Sequence, residues 1–216
     1  MVISYMGGEC FKITQGNLTL SFNPPSKDSS LKASKFGSDI VLVSSDHEDF
    51  SGVENASFGD REPFVISGPG EYEVKEVAVR GFGSETNYGG DKGLNTIYSV
   101  ALEGMNLCFL GALNTPDIPQ SAKQELDDID ILFVPIGGDG VLDPAAAAKL
   151  AVQLEPKAVI PMHYPSTSSG QAGIGMKDAL KAFLKEAGEE VKPIEKLTVK
   201  KKDLDGKEGE IIVLES

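Results

Sequence analysis

The chain of 216 residues has no tryptophan, only two cysteines and only two histidines. Two thiols, Cys10 and Cys108, are too few to staple a chain of this length with disulfides. Both lie inside apolar runs, so they read as buried free thiols of a reducing, cytoplasmic setting. Positive charge is scarce: 20 Lys and Arg face 33 Asp and Glu, a formal net charge of −13. That balance argues against nucleic acid, whose phosphates demand clusters of Lys and Arg, and against an anionic membrane surface. The one basic run, Lys200-Lys201-Lys202, is followed by Asp203, Asp205, Glu208 and Glu210 and reads as a solvated turn. No apolar stretch approaches the roughly 20 residues of a membrane helix. The first residues, Met1 to Gly8, lack the basic start and apolar core of a signal peptide.

What remains is ordinary globular composition, 40% hydrophobic and 25% charged, in a length that can bury a proper core. The first half reads as strands. Val2–Tyr5, Cys10–Thr14 and Leu18–Phe22 alternate or run apolar, with Gly7-Gly8 and Gln15-Gly16-Asn17 as turns between them. Asn23-Pro24-Pro25 stops the third run, since proline cannot donate to a ladder. Residues 26–38 read as loop or a short helix. Ile40–Val43 is a β-branched run suited to a strand covered on both faces. Phe64–Ile66, Tyr72–Val74 and Val77–Phe82 follow. Residues 83–95, with Gly83, Gly89, Gly90 and Gly93, read as a mobile loop. Thr96–Leu102 and Leu107–Leu110 then form a hairpin.

The second half changes rhythm. Ser121–Asp128 is an acidic helical stretch before the strand Ile131–Val134. Asp143-Pro144 is a helix start, with Asp at the N-cap and Pro at the first position, and strong helix formers run on to Leu154. Ala158–Pro161 is the next strand. Met176, Ala179, Leu180, Phe183, Leu184 and Ala187 fall at helical spacing before Gly188 at the C-cap. Ile211–Leu214 closes the chain as a strand. No repeat or linker interrupts this order, so residues 1–216 read as one layered domain, sheets inside and helices outside.

Chemistry should gather at the histidines. His47 and His163 each follow an apolar strand, and loops beyond strand ends are where such folds assemble sites. Here the sequence resembles a known family. Ser44-Ser45-Asp46-His47-Glu48-Asp49-Phe50 is similar to the Thr-His-x-His-x-Asp-His motif of the metallo-β-lactamase fold. Gly7-Gly8-Glu9-Cys10-Phe11 resembles the Gly-His-Ser-Cys-Phe of the lactonase-like Zn-dependent hydrolases within it, and Phe22-Asn23-Pro24 their Ile-Asp-Pro. Gly68 to Val74, Phe109-Leu110-Gly111-Ala112-Leu113, Phe133 to Gly138, Leu142-Asp143-Pro144 and Pro156 to Tyr164 continue in family order. The resemblance spans the chain to about residue 164 and implies an α/β, four-layer αββα sandwich.

The metal positions depart from the family pattern. The resemblance implies seven side chains around two metal ions. His47, Asp49 and His163 match three of them. The other four fall on Ser45, Phe50, Ala112 and a position near Thr86. By resemblance His47 serves one ion while Asp49 and His163 serve the other. Paired ions lie roughly 3.5–4 Å apart, and zinc–ligand distances are about 2.0–2.2 Å, so one ion reaches all three only if the side chains shift. Ala112 bridges nothing. Two readings stay open for His47, Asp49 and His163. They form an empty hydrogen-bonded site, with Asp49 fixing the His47 tautomer and His163 bonded to a backbone carbonyl, or they hold a single zinc.

Other candidates carry less. Gly89-Gly90-Asp91-Lys92-Gly93 lacks the phosphate-loop spacing, and Gly137-Gly138-Asp139-Gly140 is no dinucleotide fingerprint. Ser67-Gly68-Pro69-Gly70 is a turn, not a nucleophile elbow. Ser166, Ser168 and Ser169 read as loop serines. Cys10 or Cys108 paired with a histidine would be a nucleophile only if exposed. The expectation is thus a non-catalytic binding or scaffold protein that needs no cofactor, able to form a homo-oligomer and to take an unidentified small molecule. The alternative is a hydrolase using one zinc on a small phosphorylated or lactone-type substrate.

Overall fold

A computed structural model of the chain describes residues 1–31, 34–59, 62–90, 92–165 and 178–216. The expected strands form, half of them longer than the apolar runs alone, and a short strand not expected from the sequence, β12, joins them. They are β1 (Val2–Tyr5), β2 (Phe11–Gln15), β3 (Leu18–Phe22), β4 (Ile40–Leu42), β5 (Phe64–Ile66), β6 (Gly70–Val74), β7 (Val77–Thr86), β8 (Gly93–Leu102), β9 (Met105–Phe109), β10 (Ile131–Pro135), β11 (Ala158–Met162), β12 (Leu197–Thr198) and β13 (Glu210–Ile211). Among the described residues three α-helices follow strands of the second half: α1 (Gln120–Glu125), α2 (Pro144–Leu154) and α3 (Ala179–Ala187). Asp143 caps α2 as its type predicts, accepting from the Ala146 N–H at 2.8 Å. Gly188 ends α3 in the left-handed region at φ 73°. Met176 of the predicted stripe lies outside the described residues, as do Ser166, Ser168 and Ser169.

Two sheets face each other. One runs β12-β1-β2-β3-β4-β5, the other β13-β11-β10-β9-β8-β7-β6. The central strands β9, β10 and β11 pair in parallel, as do β3, β4 and β5. Aromatic rings fill the space between the sheets. Phe22 stacks on Phe109 with centroids 4.3 Å apart and planes 5° from parallel, and Phe11 meets Phe133 edge-on at 4.8 Å. The Tyr98 hydroxyl crosses from β8 to donate to the Val43 carbonyl at 2.7 Å. One continuous cluster of buried side chains draws on both sheets. On β4 the side chains alternate: Ile40 and Leu42 join that cluster, whereas Val41 and Val43 pack outward with Cys10, Phe36 and Ala56. The mixed α/β sandwich expected from the resemblance is therefore the fold.

Three expectations need correction. Residues 83–95 are not a loop: β7 and β8 pair from Ala78–Ala101 to Thr86–Gly93, leaving a short tip. Of the glycines that suggested a loop, Gly89 and Gly90 do turn at the tip, whereas Gly83 lies inside β7 where another segment comes close. A Cβ on Gly81 would come within 2.8 Å of the Gly68 carbonyl oxygen, and one on Gly83 within 3.1 Å of Pro69. The final strand is shorter than expected: only Glu210–Ile211 pairs with β11, and Leu214 makes an isolated bridge to Ile194. The Lys200–Lys202 run is more than a solvated turn. Lys201 and Lys157 both donate to Asp130, a fully buried carboxylate, at 2.7 and 2.8 Å.

Asp130 gives a pH prediction. Its burial alone would raise the carboxyl pKa, but the hydrogen bonds from Lys157 and Lys201, with the Asn106 N–H, outweigh this and hold it below the usual range. A carboxyl depressed on folding adds stability that is present above its unfolded value of about 3.9 and lost as pH falls through the folded value. Wild-type stability should therefore drop below about pH 4. Asp130→Asn should be less stable than wild type at pH 7 and should show a shallower acid limb. Urea denaturation at pH 3 to 7 measures both, and parallel curves for the two proteins would refute the assignment.

Candidate functional site

The loops after β4 and β11 and the tip between β7 and β8 meet at one end of the sandwich. His47 and Asp49 come from the first loop, Tyr88 from the tip, and His163 follows β11 directly. His163 is wholly buried and sits at φ 61°, a left-handed conformation uncommon outside glycine. Two bonds hold it there. Its N–H donates to the Gly8 carbonyl at 2.7 Å, and its Nδ1 lies 2.7 Å from Oε1 of Glu9. Glu9 is equally buried, and its Oε2 accepts from Asn23 Nδ2 at 2.9 Å. Asn23 also donates to Ser44 Oγ at 2.8 Å, and its Oδ1 accepts from the Ser44 N–H. A buried chain His163–Glu9–Asn23–Ser44 thus lies beneath the site. With Glu9 as acceptor, Nδ1 carries the proton in this network. That leaves Nε2 buried with no hydrogen-bond partner among the described residues.

The other two predicted residues are engaged differently from expectation. Nδ1 of His47 accepts from the backbone N–H of Asp49 at 3.1 Å, while the Asp49 carboxylate stays 3.6 Å away. The amide, not the carboxylate, therefore sets the His47 tautomer. Oδ2 of Asp49 instead accepts from the Tyr88 hydroxyl at 2.7 Å, and Oδ1 accepts from Ser29 Oγ. Burial first, then the bond to Asp49 and its charge, push the Tyr88 phenol far up, so it stays a donor at neutral pH. His163 likewise finds a carboxylate, Glu9, where a carbonyl was expected.

Apolar packing closes the remaining space. Phe50, Ala112 and Val141 form a buried cluster with Tyr88 against it. Thr86 Oγ1 donates to the Ala112 carbonyl at 2.7 Å, and Asn95 Oδ1 accepts from the Ala112 N–H at 2.9 Å. Gly111, at φ 58°, allows this approach: a Cβ there would stand 2.4 Å from Asn95 Oδ1. Neither cysteine takes part. Both thiols are buried, which pushes Cys108 up to about 12 and Cys10 higher still, so neither supplies a thiolate at neutral pH.

A family model described as "Beta-lactamase superfamily domain" matches residues 2–163. The chain belongs to the metallo-β-lactamase superfamily. A metal-dependent hydrolase from Listeria innocua is 30% identical over 195 residues, covering 76% of this chain and 85% of the relative. One from Carboxydothermus hydrogenoformans is 25% identical over 213 residues, covering 81% and 89%. Among solved structures, a protein described as a Zn-dependent hydrolase of this superfamily from Thermotoga maritima superposes with a TM-score of 0.77 at 25% identity, covering 99% of this chain and 98% of that one. A metallo-β-lactamase fold protein from Bacillus subtilis reaches 0.61 at 10% identity, covering 100% and 96%, a likeness of fold alone.

Membership in this superfamily raises the question of metal, and the donors on hand answer it unfavourably. A catalytic zinc takes about three protein ligands and a water. Asp49 has both oxygens in use and His47 has Nδ1 in use. Among the described residues no three His, Cys, Asp or Glu side chains stand together where they could hold an ion. Among the described residues, His163 has the features of a ligand, an Nε2 without a hydrogen bond behind a carboxylate-bound Nδ1. The arrangement does not fit a zinc ion without rearrangement. Sequence reasoning missed Glu9 and Tyr88. The signal for Glu9 was an acid set between Gly8 and the apolar Cys10-Phe11; Tyr88 had none beyond its place near Thr86.

Proposed function

We propose that this protein is a non-catalytic member of the metallo-β-lactamase superfamily that acts through binding rather than hydrolysis. The observation that carries the reading is the Tyr88–Asp49 hydrogen bond set within the Phe50, Ala112 and Val141 cluster. Where the resemblance calls for two cations and a bridging hydroxide, this chain has aromatic and methyl groups and a neutral phenol. By the same resemblance Ala112 stands at a ligand position and another falls near Thr86, and here Thr86 Oγ1 donates to the Ala112 carbonyl. Hydrolysis in such folds needs a metal to lower the pKa of water. The two buried thiols suit a reducing compartment.

A second reading has one observation in its favour. His163 Nε2 is buried and has no hydrogen-bond partner among the described residues while Glu9 orients the ring, the usual support for a metal-bound histidine. The relatives' description as metal-dependent hydrolases points the same way. Under that reading a single zinc at His163, Asp49 and His47 would serve a hydrolase.

Elemental analysis separates the two. Protein purified without chelator is expected to carry zinc only at trace levels, and added zinc is expected to leave the melting temperature unchanged, because a ligand stabilises only by binding the native state. One zinc per chain, lost in His163→Ala, would establish the hydrolase reading instead.

A further inference from the structure

The single side chain of Tyr88 touches His47, Asp49 and His163, the three residues that match the family's metal ligands. Its hydroxyl donates to Asp49 Oδ2 at 2.7 Å. Its ring meets the His47 imidazole at 4.7 Å between centroids with planes 73° apart, and the His163 imidazole at 5.1 Å with planes 88° apart. Phe50 completes the contact at 4.8 Å. These partners come from two separate loops, and Tyr88 brings in a third element, the tip of the β7–β8 hairpin.

The tip is shaped for this insertion. Thr86 Oγ1 accepts from the Tyr88 N–H at 3.2 Å while donating to the Ala112 carbonyl, so one hydroxyl ties the tip to the loop after β9. Gly89 and Gly140 allow close approach from two sides. A Cβ on Gly89, at φ 80°, would lie 3.0 Å from both Cδ2 and Nε2 of His47. A Cβ on Gly140, at φ 99°, would lie 3.0 Å from the Tyr88 Cα. Side chains at either glycine would push the tip away from the histidines.

We infer that Tyr88 is a built-in plug that takes over the structural task of the metal, cross-linking the loops after β4 and β11 and sealing His163 from solvent. A metal would draw the two histidines and the aspartate together through its charge. Tyr88 does so with one hydrogen bond to the aspartate and ring contacts to both imidazoles. The ring packs perpendicular to the His163 imidazole, which is fully buried. The inference rests on the non-metal reading of the site and deepens it.

Two variants and one reagent test it. Diethyl pyrocarbonate modifies accessible imidazoles, and peptide mass spectrometry reads each histidine. His47, with 29% of its side chain exposed, calibrates the reagent. In wild type His163 is expected to stay unmodified. In Tyr88→Ala, shown folded by a cooperative melt, His163 is expected to react at a rate near that of His47. Tyr88→Phe keeps the ring and loses only the bond to Asp49. It is expected to keep His163 protected but to melt lower, by on the order of 3–10 °C. Protection of His163 in folded Tyr88→Ala overturns the inference, and so does a Tyr88→Phe protein that melts with wild type. If Tyr88→Ala does not fold, the Tyr88→Phe melt decides. Zinc content of the wild-type sample separates the two claims. Stoichiometric zinc there defeats the non-metal reading, whereas a metal-free wild type with a protected Tyr88→Ala defeats only the plug.

Discussion

Glu9→Ala is expected to cost about 3–5 kcal/mol of unfolding free energy, among the largest losses any single polar substitution in this chain should give. Glu9 and His163 are both fully buried and 2.7 Å apart, so neither can turn to water when its partner is removed. Truncation leaves His163 Nδ1 and one Asn23 N–H without an acceptor, and each buried orphan carries its own desolvation penalty of about 1–3 kcal/mol. His163 and Asn23 both hold left-handed backbone, at φ 61° and 41°, which their side-chain bonds help to maintain. Glu9→Gln keeps the volume and one acceptor oxygen, so it should lose less. Glu186→Ala, on the exposed face of α3, should stay within about 0.5 kcal/mol of wild type. Urea denaturation at pH 7 ranks the three. A loss below about 1 kcal/mol for Glu9→Ala would place the pair with exposed ion pairs and remove its structural role.

Phe109→Ala should have a comparable effect by a different route. Phe109 projects from β9 onto Phe22 of β3, so its ring is part of the contact between the two sheets. It is fully buried, and it also meets Phe133 at 6.0 Å. Truncating a buried phenylalanine costs about 3–5 kcal/mol, because the lost transfer energy is joined by a cavity the strands cannot close. For a chain of this length that corresponds to about 6–20 °C in melting temperature. Phe109→Leu fills most of the space and should cost less than about 1.5 kcal/mol. Phe58→Ala, at a position 67% exposed, should leave the melting temperature nearly unchanged. Equal melting of Phe109→Ala and Phe58→Ala would mean that the sheets are not held together through this stack.

The legible parts of the fold were those in which local chemistry and tertiary role agree. Ile40–Leu42 and Ile131–Pro135 are β-branched or apolar throughout because both faces are covered. Asp143-Pro144 starts a helix because the cap and the fixed φ act within one turn. Gly83, inside β7, was the opposite case. A glycine that permits a turn and one that permits another backbone to approach look identical in one dimension, and only the neighbour across the gap tells them apart. Lys201 was misread for the same reason, since its partner Asp130 is distant in sequence and is buried by the fold.

At the site, the sequence by itself determined which donors are present: two imidazoles, one aspartate beside the first of them, and apolar residues at Phe50 and Ala112. Residue identity bounds coordination chemistry before any folding, because a phenyl ring or a methyl group has no lone pair to give. Tertiary structure alone decided how the surviving donors are occupied. That Glu9 backs His163, that Tyr88 rather than His47 takes the Asp49 carboxylate, and that one imidazole nitrogen is buried with no hydrogen-bond partner among the described residues all depend on side chains from distant segments meeting within about 3 Å. Hydrogen bonds act only over that range, so their pairing follows from where the strands end and not from the order of residues along the chain.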